Sequence, residues 1–253
     1  MTHTFYFDDL YDYFFVFLRL SALLMFFPGI GETFIPARIR LLFAFVLTLI
    51  ITPVIDIDAP TSDLLNTQTL IFIIRETFVG AFLGILAKLL LNALQVTGSI
   101  IGMQTSLSGA ALLNPSLGTQ DTAIGTILMF GATALMFATD CHYLLLAALV
   151  TSYETFPVLE PFIVGDVSQA IIQMISKSFW LGVKLSFPIL IVGTLLNVCT
   201  GLVNRLMPQM QVYFMFTPVQ IFLGFLLLVL TISTVVSIFI DHFREFLEGV
   251  ANG

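Results

Sequence analysis

Six apolar runs separated by short polar connections set the pattern of this chain: residues 10–27, 41–55, 70–101, 123–150, 169–203 and 219–240. A helix that crosses a bilayer needs about 20 residues, each rising about 1.5 Å. The first run barely reaches that length, whereas the third, as one helix from Leu70 to Ile101, would extend about 48 Å against a hydrocarbon core of about 30 Å. It must tilt, break or project beyond the bilayer. The fifth also exceeds one span and carries Pro188, which predicts a kink. The pattern predicts an all-α integral membrane protein of helical hairpins with long, kinked apolar helices, forming a single domain over residues 1–253.

The connections carry their own signals. Pro28 and Gly29 end the first run, and the link through Gly31, Pro36, Arg38 and Arg40 is short and basic. The DIDAPTSD link and residues 151–168, with Glu154, Glu160 and Asp166 around Pro157 and Pro161, are acidic. Pro208 and Pro218 bracket a Met-rich, aromatic piece that reads as a tight turn between antiparallel helices. Counting Lys and Arg across six crossings places both termini outside.

Isolated features interrupt the runs. Arg19 lies inside the first, where it either snorkels to an interface or pairs with a carboxylate; the residues leave both readings open. Gly80 with Gly84 and Gly98 with Gly102 have the small-xxx-small spacing that lets a neighbouring backbone approach. His142 reads as a hydrogen-bonded structural histidine rather than a proton relay, and three histidines in the whole chain are too few for a metal site.

One stretch fits neither a span nor a solvated loop. From Gly98 to Gly118 the chain reads GSIIGMQTSLSGAALLNPSLG, uncharged, rich in small residues and dotted with Leu and Met. A water-exposed loop would carry charge, and a spanning helix would hold fewer backbone breakers. The segment therefore suits the lining or closure of a cavity.

Composition agrees with the membrane reading: 58% of residues are hydrophobic, only 10% are charged, and mean hydropathy is +1.04. The 26 Phe exceed the needs of a small soluble core and must in part face lipid or partner chains. A net charge of −7 with nine scattered Lys and Arg excludes nucleic acid as a partner. Cys141 and Cys199 lack metal spacing and read as buried thiols. The acidic start, MTHTFYFDDLYDY, lacks the basic region of a signal peptide, so the first run is expected to be retained. No Walker loop, HExxH, GxSxG or paired intramembrane carboxylates occur, and no cofactor is expected. The remaining classes are a self-contained secondary transporter and a structural subunit of a multi-chain channel. Broken segments suit the first, but coupling groups are sparse and no internal repeat is evident. The second accommodates overlong helices directly.

Several stretches, in this order and spacing, resemble the FliR family of the bacterial flagellar type III secretion apparatus, which has homologues in virulence injectisomes. They are RLSALLMFFPGIGETFIPARIRLLFAFVLTLIITP at 19–53, RETFVGAFLG at 75–84, GMQTSLSGAALLNP at 102–115, His142 with SYETFP at 152–157, and NRLMPQMQV at 204–212. The likeness covers nearly the whole chain. It implies a non-enzymatic subunit of the bacterial inner membrane and flagellar basal body, with an architecture like a fusion of FliP and FliQ. The implied partners are FliP and FliQ, which form the export gate with it, FlhB and FlhA, and unfolded proteins in transit. It also implies that much of the complex sits above the bilayer plane.

The resemblance assigns a pore plug to residues 102–118, with Gly102, Met103, Gln104, Ser106, Leu107, Ser108, Gly109, Leu112, Leu113, Asn114 and Pro115 as its candidates. Apolar Leu107, Leu112 and Leu113 would resist wetting, and glycines would let the loop move. Family members can place aromatic residues where this chain has Gly109 and Leu112. The seal is accordingly expected to draw more on Met and Leu from this chain and its partners; Met103, Met207, Met210 and Met215 are flexible candidates, with ordinary helix packing as their other reading. Assembly and packing fall, on the same resemblance, to Arg19, Pro36, Arg38, Arg40, Glu76, Gly80, Gly84, His142, Asn204, Arg205, Pro208 and Gln209.

Overall fold

A computed structural model describes residues 7–32, 34–55, 67–106, 123–157, 164–207 and 212–251. All regular structure among them is helical: α1 (Phe7–Phe26), α2 (Ala37–Ile51), α3 (Thr67–Gln104), α4 (Ala123–Ala138), α5 (Cys141–Thr155), α6 (Val164–Leu206) and α7 (Val212–Ala251). A short 3₁₀ turn, Thr52–Val54, follows α2 at Pro53.

The third apolar run resolves its length problem by staying one helix. α3 has 38 residues, about 57 Å, and its apolar window is 44% buried, against 17% for α2 and α6 and 11% for α7. α6, of 43 residues, likewise runs through Pro188 without ending.

The fourth run behaves differently. It was expected as one segment, but α4 ends at Ala138 and α5 begins at Cys141, with Asp140 between them at φ 59°. That left-handed conformation stops a helix, and Asp adopts it more readily than most residues do. Each half buries one face: Ile124, Leu128, Ala132 and Met136 on α4, and Cys141, Leu145, Leu149 and Ser152 on α5.

Among the described residues four helical segments, Ala37–Val54, Thr69–Gln104, Val167–Leu206 and Met215–Gly249, are long and apolar enough to cross a membrane, and α4 with α5 adds a fifth as a bent pair. Six crossings were expected from hydropathy; α1, with acids at its start and Arg19 in its middle, is not among these candidates.

The chain forms two compact units. Unit 1 holds residues 1–89, 137–174 and 244–253, with a core that includes Phe15, Leu20, Leu23 and Leu24 of α1 and Leu149 of α5. Its turn between α1 and α2 is held by Arg40, which donates to the carbonyls of Glu32 (2.9 Å) and Ile35 (3.0 and 2.8 Å). Pro36 sits at the N-cap of α2, where its missing N–H costs nothing. Unit 2 holds residues 90–136 and 175–243, and its helices approach through small residues. A Cβ on Gly98 would lie 2.1 Å from the Cα of Gly125, and one on Gly182 would lie 2.7 Å from the carbonyl oxygen of Ala93. At the second contact Thr97 Oγ1 donates to the Gly182 carbonyl, 3.1 Å away.

Candidate functional site

Two polar centres stand out from the apolar packing, one in each unit. In unit 1, Arg19 of α1 and Glu76 of α3 are both fully buried. Arg19 Nε donates to Glu76 Oε2 at 2.6 Å and Nη2 to Oε1 at 2.9 Å, the two-pronged geometry that a guanidinium offers a carboxylate. Nη1 reaches Ser152 Oγ at 3.0 Å, Nη2 the Phe156 carbonyl at 3.0 Å, and the guanidinium carbon lies 3.8 Å from the centre of the Tyr153 ring. One side chain thus ties α1, α3 and the end of α5, and does not snorkel.

The spacing of α3 makes this contact feasible. Gly80 lies one turn beyond Glu76, and a Cβ there would fall 2.0 Å from the Arg19 carbonyl oxygen. A further turn on, a Cβ on Gly84 would meet Phe26 Cβ at 2.8 Å and the Leu23 carbonyl oxygen at 2.9 Å. Only residues without a Cβ let α1 lie this close. The neighbouring Arg75 donates to the carbonyl of Pro157. By contrast, the Lys88–Glu32 pair at 3.9 Å is partly exposed and contributes little.

In unit 2 the end of α3 is clasped by α6 and α7. Gln104 is the last residue of α3, so its carbonyl has no partner within the helix. Gln220 of α7, itself buried, supplies one: its Nε2 donates to the Gln104 carbonyl at 2.7 Å and to Asn197 Oδ1 at 3.2 Å. Asn197 Nδ2 in turn donates to Gln104 Oε1 at 3.4 Å, closing a three-residue ring. Two glycines admit the tip. A Cβ on Gly193 would lie 2.7 Å from Gln104 Oε1, and one on Gly224 would lie 2.2 Å from Thr105 Cγ2. Ser106 then turns at φ 58°, its N–H reaching the Met103 carbonyl at 3.4 Å. A left-handed residue is the usual way to leave a helix, though glycine is the usual choice.

The predicted plug residues divide at this point. Gly102, Met103, Gln104 and Ser106 are described, with Gly102 buried and Met103 exposed. Leu107, Ser108, Gly109, Leu112, Leu113, Asn114 and Pro115 lie outside the described residues, as do Pro208, Gln209 and Met210. Among the packing candidates the structure brings together Arg19, Glu76, Gly80 and Gly84. It places Arg38 exposed near the start of α2, and Asn204 and Arg205 exposed in the last turn of α6.

His142 was expected to be hydrogen-bonded, and one of its two ring nitrogens has no such partner among the described residues. That nitrogen, Nδ1, is buried, and the ring packs 5.2 Å from Phe137 and 4.2 Å from Tyr143 between ring centres. Cys199 also differs from expectation, being exposed on α6, whereas Cys141 is buried. Ser152, Asn197 and Gln220 were missed as site residues. Each is an uncharged polar residue inside an apolar run, and that was the available signal.

Among the described residues no group of three or more His, Cys, Asp or Glu could hold a metal ion. The chain matches, over residues 10–246, the family described as bacterial export proteins, family 1. It is similar to flagellar biosynthetic protein FliR of Caulobacter vibrioides, with 38% identity over 92% of this chain and 93% of that one. The FliR of Bacillus subtilis is 29% identical over 94% of this chain and 92% of its own length. That of Escherichia coli is 26% identical over 95% and 91%.

Proposed function

This chain belongs to family 1 of the bacterial export proteins, and more closely to its FliR members, and from that premise we propose that it is a non-enzymatic subunit of the flagellar type III protein export gate. The observation that carries the reading is the near-complete match in both directions to a relative named for flagellar biosynthesis. The relatives' flagellar names favour the flagellar system over an injectisome. In this reading the chain works in the bacterial inner membrane, at the flagellar basal body. It builds a FliP–FliQ-like architecture, forms the export channel with FliP and FliQ chains, and meets FlhB and FlhA. Unfolded proteins pass through the assembly.

Residues 102–118 act as the plug of the closed channel. Supporting this is the way α3 ends: the carbonyl of Gln104 is fixed by Gln220, and the tip sits against Gly193 and Gly224. A segment leaving such a clasp starts from a fixed point, which a closure element needs. The exposed Met103 beside it supplies deformable apolar surface.

The test is deletion of residues 106–113 in cells carrying the rest of the apparatus. Assembly should persist, while membrane conductance to small ions rises. Unchanged conductance in an assembled gate would remove the plug from the account.

A further inference from the structure

Unit 2 holds the end of α3 by means unlike those that hold α3 in unit 1. There, parting Arg19 from Glu76 would strand two buried charges. At the clasp no member is charged: Gln104, Asn197 and Gln220 are amides, and each polar atom can exchange its partner for water or another amide. Hydrogen bonds of this kind are worth little net, because what is given up is regained from the new partner.

The ring is also uneven. Its one short bond, 2.7 Å, joins the buried Gln220 to the Gln104 carbonyl, whereas the two bonds through Asn197 are 3.2 and 3.4 Å and Asn197 is exposed. The ring therefore opens most easily from the Asn197 side. Beside it Ser106 holds φ 58°, a conformation that costs a residue with a Cβ more than it costs glycine. A permanent helix end would set glycine there. A strained residue next to an inexpensive fastening suits a joint with two states.

We infer that the Gln104–Asn197–Gln220 ring is a releasable latch, and that passage of a polypeptide requires the ring to open and residues 104–106 to leave their seat against Gly193 of α6 and Gly224 of α7. Asn197 and Gln220 are then positioning residues, acting on the channel through the end of α3. The inference rests on the reading of this chain as an export-gate subunit. An unfolded polypeptide carries amide donors and acceptors along its whole backbone, so a chain entering the gate competes for the latch whatever its sequence. With no titratable member, the ring answers to that competitor and not to pH.

The close packing of the tip allows a direct test. A disulfide spans Cβ atoms about 3.5–4.5 Å apart. The Cβ of Gln104 lies 2.8 Å from a Cβ placed on Gly193, and that of Thr105 lies 2.9 Å from one on Gly224, so the helices need part only slightly to admit a bridge. Gln104→Cys with Gly193→Cys fastens α3 to α6, and Thr105→Cys with Gly224→Cys fastens it to α7. Each pair is placed in the full chain with Cys199→Ala, in cells carrying the whole apparatus. Secretion of a flagellar protein into the medium should fall at least tenfold when either bridge is oxidised and return on reduction, while single-cysteine variants ignore the oxidant. Asn197→Ala should leave recovery of the assembled complex unchanged and raise membrane conductance to small ions at least threefold. If neither cysteine pair secretes when reduced, that conductance decides. Secretion that continues through a fully formed bridge, or an assembled Asn197→Ala gate that leaks no more than the unaltered one, would overturn the latch and leave the ring as a static helix end. Secretion that persists when the whole chain is deleted sinks the gate reading instead.

Discussion

Arg19 and Glu76 are 57 positions apart, and their union is the chief residue-scale fact of unit 1. A buried ion pair adds little net stability over a well-packed apolar pair, yet removing one member strands the other charge at a cost of about 3–5 kcal/mol. Glu76→Ala should therefore lower the amount of folded chain in membranes sharply, read as steady-state level and as the thermal aggregation midpoint in detergent. The double change Arg19→Met with Glu76→Leu should recover much of the loss. Arg19→Lys should not, since an ammonium cannot make the paired contact to Glu76 while reaching Ser152 and the Phe156 carbonyl. The sequence displayed both charges as interruptions of apolar runs, and their types as opposite. Their pairing was not legible, because nothing in local spacing tells which helix turn faces which.

For helices, the decisive quantity is how closely backbones approach. The pairs Gly80–Gly84 and Gly98–Gly102 were visible as spacings, but short spacings arise by chance and do not name a neighbour. The structure puts Arg19 against Gly80, Leu23 and Phe26 against Gly84, and Gly125 against Gly98. Gly80→Ala should push α1 off α3 and cost about 1–3 kcal/mol as overpacking. Gly131→Ala is the control: nothing lies within 4 Å of its would-be Cβ, so the change should be neutral or add up to about 1 kcal/mol of helix propensity. Comparing the two midpoints in detergent separates close approach from propensity. At the other end of α3, Gln220→Ala removes the donor that satisfies the Gln104 carbonyl and costs about 1–3 kcal/mol. Hydrogen exchange at Thr105 and Ser106 should quicken in that variant, with the interior of α3 unchanged. Hydropathy located every long helix but misjudged the fourth run, because the left-handed Asp140 is a single-residue event inside an otherwise apolar stretch.

At the scale of the molecule, the surplus of apolar surface matters most. Phe43, Phe45 and Leu49 of α2, Trp180 and Leu195 of α6, and Phe222, Val229 and Leu230 of α7 are all exposed. Such faces need lipid or protein, and helices of 38 to 43 residues are longer than lipid alone can cover. Fold class and family were legible in the sequence because apolar run length and motif order survive in one dimension. The clasp at Gln104 was not, since it joins residues from three helices through a backbone carbonyl. The most direct test of the gate reading is co-expression of the tagged, full-length chain with the FliP-like and FliQ-like chains of the same cell, followed by native mass spectrometry of what the tag retains. A single discrete complex containing all three chains is the expected result. Recovery of the chain without them, together with substrate uptake by that chain alone in liposomes, would contradict the account.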